Sequence, residues 1–261
     1  MQIVITADDF GHSADTVATT VDCFARGALT SASQMVNMPA SGAAFDFAKA
    51  NAQFSFGVHL TYVADSIEAP LSALDRIPAL VTSQGVFKPS NEVRRDALAG
   101  RIPVEQIAIE TEAQLGRMRD SGIAISHVDS HGHLHKFAPF REALARVLPR
   151  FGVRRVRSVQ DVYCAIPWRS PTFWLGPFWR TAIRKRFVTT DHFFMDPGSD
   201  DSWPERLLRH ARRGTLEVGV HPGHEDEWRR SETARVVRFA KIARDQGHAL
   251  IGWSEVAMPD A

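Results

Sequence analysis

Residues suited to metal binding and acid–base work fall at four places in the sequence. They are the adjacent carboxylates Asp8 and Asp9 in VITADDFG, His59 in GVHL, the run HVDSHGHLH from His127 to His135, and His221 in GVHPGH. Imidazoles with one carboxylate, leaving room for water, make the open catalytic site that zinc favours. Magnesium prefers oxygen donors, so two imidazoles count against it. Each piece alone also has a plainer reading. Asp8 and Asp9 could orient a turn and favour a helix N-terminus, and a lone histidine such as His59 is more often structural. The histidine run is harder to dismiss. His127, Asp129 and His131 alternate, so on a strand they share one face, with His133 and His135 in the loop beyond. A polar stripe facing a barrel interior must be hydrogen-bonded or metal-bound. Neighbouring strand residues point to opposite faces, so Asp8 and Asp9 can both serve one site only if the chain turns at Asp9, a turn that Phe10-Gly11 would supply. One carboxylate would then bind the metal and the other accept a proton from its water. His12, His192, His210 and His248 lack such a context, and Cys23 reads as helix packing.

The elements that must position these residues alternate along the chain. QIVITA leads to a helix from about Ser13 to Arg26, LTSASQMVN to one near Ala43 to Asn51, and FSFGVHL to a long irregular segment with Pro70, Pro78 and Pro89. Ile107, Thr111, Leu115 and Met118 stand at helical spacing between Val104 and Ser121, and Gly122 ends that helix. IAISHVDSH is a fourth strand, followed by a helix in FREALARVLPRFG. VRRVRSV, HFFMD, TLEVGVHPG and ALIGW read as later strands, with helices in PERLLRHARRG and SETARVVRFAKIARDQG. Strands alternating with helices predict a parallel sheet with crossover connections. About seven such units in 261 residues fit one closed (β/α) barrel of ~250 residues better than an open sheet, and no Gly-rich phosphate loop follows the first strand. In such a barrel the ends of the strands carrying Asp8, His59, His127–His135 and His221 lie on one rim, where barrel active sites are found.

Composition narrows the class. Hydrophobic content of 44% and charged content of 23% are ordinary for a globular chain, and a net charge of +1 gives no argument for nucleic acid or an acidic membrane surface. Two cysteines, Cys23 and Cys164, build no disulfide framework and point to a reducing compartment. The N-terminus reads as a strand rather than a secretion signal, and IPWRSPTFWLGPFW is too interrupted for a membrane span, so the cytoplasm is the expectation.

The ordered set TADDFG, TSASQMVN, GVHL, HVDSHGHLH and GVHPG, with the closing GHALIGWSEV, resembles the YdjC-like carbohydrate deacetylase family, which includes chitooligosaccharide deacetylases and hopanoid-associated members. The resemblance runs from Ile3 to about Gly223. It implies an α/β fold, a distorted TIM-like (β/α) barrel, and removal of acetyl groups from N-acetylated amino sugars. It implies one divalent metal ion held by Asp9, His59 and His131, with Asp8 as general base and His221 as general acid. Arg157 in RVRSV falls where the family often contacts substrate, and His133 is expected to face the substrate beside it. Family members are commonly described with magnesium, against the zinc that the ligand chemistry favours, so the metal stays open. Gly132 departs from the bulkier residue that relatives often carry there.

The expected organisation is one catalytic barrel over residues 1–261, with an irregular insertion near 61–102 and an aromatic-rich segment near 160–190. The last holds Trp168, Trp174 and Trp179 and ends in Arg180, Arg184, Lys185 and Arg186. A folded-over subdomain, a homodimer contact, or a surface for an N-acetylglucosamine carried on an apolar aglycone all fit it, and a peripheral membrane contact stays open beside them. A chitooligosaccharide is the other acceptor. The rivals in function are another metal-dependent barrel hydrolase such as a phosphoesterase, and a non-catalytic sugar- or metal-binding protein. A phosphoesterase often has a His-x-His pair on its first strand where this chain has two acids. A pure binder has no need of Asp8 and His221.

Overall fold

The computed structural model describes residues 1–64, 68–198, 200–210 and 213–258. Residues 65–67 of the expected insertion, and Ala211 and Arg212 at the end of one expected helix, lie outside the described residues. So do Ser199 and residues 259–261. In chain order the elements are β1 (Gln2–Phe10), α1 (Ala14–Ala25), β2 (Ser31–Gln34), α2 (Ser41–Ala50), β3 (Ser55–Leu60), α3 (Ser90–Leu98), α4 (Val104–Asp120) and β4 (Val128–Ser130). They continue with α5 (Ala138–Val147), α6 (Pro171–Arg184), β5 (His192–Met195), α7 (Trp203–His210), β6 (Thr215–Val220), α8 (Glu227–Asp245) and β7 (Ala249–Leu250).

The sheet is parallel in every pairing, in the order β4-β3-β2-β1-β6-β5, with β7 on β1 beside Gln2 and Ile3. The remaining wall is held by single bridges. Val128 pairs with Val156 and Arg155 with Val188, and the Asp161 N–H donates to the Phe193 carbonyl at 3.1 Å. The result is a distorted (β/α) barrel, regular on one side and stitched on the other. VRRVRSV therefore forms no regular strand, and IAISHVDSH contributes only three strand residues.

Helix faces follow the sequence period. Ile107, Thr111, Leu115 and Met118 of α4 are all buried. Helix α1 opens on Ser13, whose hydroxyl accepts from the Thr16 N–H while the Thr16 hydroxyl accepts from the Ser13 N–H. Phe10, Phe24, Phe47 and Phe56 pack together between β1, α1, α2 and β3. Burying one such ring is worth about 1.5–3 kcal/mol.

Two helices lie where the sequence suggested none. α3 has little apolar content, burying only Val93 and Ala97 as hydrophobic anchors. α6 contains Pro177, which disguises its helical pattern. The expected irregular insertion is pinned from α4, where the Glu110 carboxylate accepts from the Leu71 and Ser72 N–H groups at 3.0 Å each.

Inside the barrel the packing is polar. Gly57 faces inward, and a Cβ there would lie 2.5 Å from the His127 ring. The His127 ring stacks on Trp253 at 4.9 Å, and the Trp253 indole N–H is shared between Thr6 Oγ1 and Glu217 Oε1 at 3.2 Å each. The last described turn of the chain thus fills the barrel floor.

Candidate metal centre and acid–base pair

Strand β1 ends on an irregularity. Its register against β2 slips between Ala7 and Phe10, and Asp9 takes a left-handed conformation with φ of 57°. Asp tolerates that region better than most residues, and Phe10 resumes the ladder opposite Gln34. The turn that brings both carboxylates to one rim is therefore Asp9 itself, with Gly11 (φ 100°) following, rather than Phe10-Gly11 alone.

Asp9 Oδ1 lies 3.4 Å from His59 Nε2 and 3.3 Å from His131 Nδ1. Two ligand atoms about 2.1 Å from one ion at a tetrahedral angle sit about 3.4 Å apart, so these three donors fit a single divalent cation. Asp9 Oδ2 is occupied by Arg229 Nη2 at 2.7 Å, which leaves Oδ1 for the ion. His59 Nδ1 lies 2.7 Å from Asp129 Oδ1, the carboxylate contact that orients a ligating imidazole and raises its basicity. Burial would raise the Asp9 pKa, but His131, His221 and His59 around it hold the carboxyl well below the usual range. A metal finds it ionised.

A second trio, Asp8, His59 and Asp129, is also close enough to share an ion. Arg157, however, already binds both oxygens of Asp8 and one of Asp129, whereas Arg229 takes only one oxygen of Asp9. The Asp9 set is the better site.

Arg157 is 0% exposed. Its guanidinium holds Asp8 bidentately at 2.6 and 2.7 Å, Asp129 at 2.6 Å and Glu217 at 2.8 Å, and it lies over the Phe193 ring. Burial opposes its charge, but Asp129, Asp8 and Glu217 raise its pKa well above the ordinary value. The resemblance implies a substrate contact for Arg157; here its guanidinium is taken up by these three carboxylates. Arg157 lies beneath the site and aims Asp8 from below.

His221 follows β6, the strand paired with β1, with Nε2 4.0 Å from Asp8 Oδ2 and Nδ1 3.3 Å from Glu232 Oε1. Burial alone would depress its pKa, but the Glu232 carboxylate, with Asp9 and Asp8 beyond, pushes it up to about 9. The loop that carries it is tied to α1, where Asp15 accepts from the His224 and Glu225 N–H groups. Trp228 stands half-exposed against the His221 ring, 5.5 Å between centroids.

The histidine run divides. His127 is a core residue, bonded to Ser33 and Ser126 and pushed down to about 3 by burial. His135 is held the same way through Ser130. His131 opens a 3₁₀ segment, His131–Lys136, in which Gly132 and His133 have positive φ and the Gly132 carbonyl accepts from Arg94 of α3. His133, with φ of 55°, lines a cavity of 320 Å³ together with Gln160, Tyr163, Pro167 and Phe193, within the range of ligand pockets. A larger cleft of 740 Å³, between Arg154 and Arg184–Val188, contains none of these residues.

Sequence reasoning assigns no role to Asp129, Glu217, Arg229 or Glu232, which all contact the site. Asp129 was visible in the alternation with His127 and His131. Arg229 was missed because the last helix starts at Glu227, four residues before the expected Ser231; Glu232 lay within the expected helix and lacked only a partner.

Among solved structures, an Enterococcus faecalis protein provisionally named for cellobiose-phosphate cleavage superposes with a TM-score of 0.80 at 20% identity, covering 98% of this chain and 99% of its own. A family 4 carbohydrate esterase from Streptomyces lividans, solved with acetate, gives 0.52 at 12% identity over 99% and 98%. Both report on the fold. In sequence, the carbohydrate deacetylase of Brevibacillus brevis is 30% identical over 87% of this chain and 83% of its own. That of Halalkalibacterium halodurans is 27% identical over 90% and 91%. The model of the YdjC-like protein family matches residues 2–250, and the chain belongs to that family.

Proposed function

We propose that this protein is a metal-dependent hydrolase that removes the N-acetyl group from an N-acetylated amino sugar. The observation that carries the reading is the convergence of Asp9, His59 and His131 on one point while Asp8 and His221 face each other beside it. Family membership and the names of the curated relatives support it. A divalent ion held by Asp9, His59 and His131 would polarise the acetyl carbonyl and lower the pKa of a water; two nitrogen donors favour zinc and the family resemblance magnesium.

Asp8 accepts the proton of the attacking water. Each of its oxygens spends one lone pair on Arg157 and keeps another. His221, protonated at neutral pH, donates to the departing amine, which is otherwise a very poor leaving group. His133 and the cavity walls hold the sugar, and Trp228 offers a ring face at the mouth. A phosphoesterase would use the metal but not an acid poised for an amine, and a pure binder would use neither Asp8 nor His221.

Acetate release tests this directly, measured on di-N-acetylchitobiose and on an N-acetylglucosaminyl lipid, with and without a chelator. Release from neither, in metal-replete enzyme, overturns the reading. Asp8→Asn and His221→Ala should each lower kcat by about 10²–10⁴-fold. The His221 loss should shrink on an activated acetyl ester, whose leaving group needs no proton; an equal loss on ester and amide would exclude His221 as the acid.

The pH profile gives a further check. The basic limb of kcat/KM should follow His221, near 9 by its surroundings. Glu232→Gln removes the negative charge that favours the imidazolium, so the limb should move to lower pH. A limb that stays in place assigns it to another group.

A further inference from the structure

Helix α6 has one side on the core and one side uncovered. Gly176, Trp179 and Ile183 are buried, whereas Trp174 (66% exposed), Leu175 and Phe178 (68%) face outward, and the preceding loop adds Ile166 and Trp168 (64%). Among the described residues, five of the ten exposed large hydrophobic side chains fall between positions 166 and 178. That is a contiguous patch, and not the scatter that a soluble surface normally carries. The patch is held in its exposed arrangement. The Trp174 indole donates to the Trp168 carbonyl at 2.8 Å, Phe173 meets Trp174 edge-on, and the Arg169 guanidinium lies over Trp168.

Charge says what covers it. Residues 163–187 carry five cations and no acid; Arg180 and Arg186 pair with Asp161 and Glu142 outside the segment, while Arg169 and Lys185 are exposed on it. On the exposed stripe Trp174, Phe178, Thr181 and Lys185 follow one another at helical spacing, apolar toward the cleft and cationic at the far end. Aromatic rings beside cations with long apolar stems are the composition of a helix lying in a lipid headgroup layer. No helix among the described residues is long and apolar enough to cross a membrane, so the contact is peripheral.

We propose that α6 and the loop before it dock this protein on an anionic lipid bilayer. The same segment supplies Pro167, Ser170 and Thr172 to the wall of the 320 Å³ cavity, so the docked protein opens its cleft beside the lipid surface. Delivery of a lipid-borne amino sugar to that cleft rests on the deacetylase reading; the docking does not.

The test is flotation with vesicles of phosphatidylcholine, with and without phosphatidylglycerol, in the absence of substrate. The wild type should float with the phosphatidylglycerol vesicles and lose binding as ionic strength rises. The triple variant Trp168→Ser, Trp174→Ser, Phe178→Ser should bind at least about 10-fold less with an unchanged Tm, since its side chains leave solvent-facing positions. Arg169→Glu with Lys185→Glu should weaken binding only where phosphatidylglycerol is present. A wild type that floats with neither vesicle, or a triple variant that floats equally well, overturns the proposal. So does a wild-type dimer that the triple variant converts to monomer, because the face then belongs to a second copy. Acetate release from soluble di-N-acetylchitobiose reports separately on the deacetylase reading.

Discussion

Asp9→Asn should take up no divalent ion at concentrations that saturate the wild type, and its acetate release should fall by at least about 10³-fold, the scale expected when metal activation of water is lost. His131→Ala should do the same. Both should fold. Asn keeps an oxygen for Arg229 Nη2, and His131 lies on the rim with its side chain 21% exposed, so its removal opens no sealed void. His59→Ala is the informative contrast, because it also strips Asp129 of its imidazole partner in the buried interior and should lower the Tm as well. Metal content by atomic spectroscopy, read beside Tm, separates the cases. Full occupancy in Asp9→Asn would move the ion to the Asp8, His59 and Asp129 trio.

Arg157→Met should be the most destabilising single change near the site. It leaves Asp8, Asp129 and Glu217 buried around a missing cation, and breaking a buried pair from one side costs about 3–5 kcal/mol. In a chain of this size that is a fall in Tm of roughly 10 °C or more. Should the Met variant fail to fold, Arg157→Lys keeps the charge but not the planar fork. It should fold and lose about 10²-fold in kcat, because Asp8 is no longer held at both oxygens. Thermal unfolding of the Met variant at the wild-type temperature would show that the carboxylates are satisfied without the guanidinium.

The rim was legible in the sequence because strand ends are one-dimensional objects. A short apolar run followed by Asp-Asp, by His59 or by His221 already says which end of which strand carries the residue, and parallel topology gathers those ends. What lies beneath was not legible. Arg157 has the same sequence surroundings whether it points at substrate or at Asp8; only the closing of the barrel over Val128, Val156 and Val188 decides it. His127 and His131 looked equivalent by alternation, but the chain bends into a 3₁₀ segment after Ser130, so one became core and the other a ligand candidate. Helices α3 and α6 were hidden for opposite reasons, the first by sparse apolar content and the second by an interior proline and an apolar face turned outward.

Strand β1 sets an order of assembly. From Gln2 to Ala7 it pairs with β6, more than 200 residues later, and near Gln2 and Ile3 with β7, while Trp253 closes the floor under Thr6 and Glu217. On one side β1 pairs with the nearby β2, but its other side is completed only by residues more than 200 positions away. Contacts of such sequence separation slow folding, and during synthesis the carboxylates at its end stand in water without Arg157 or His221 beside them. A fragment of this chain that stops before β6 should therefore possess neither the barrel floor nor a formed reaction centre.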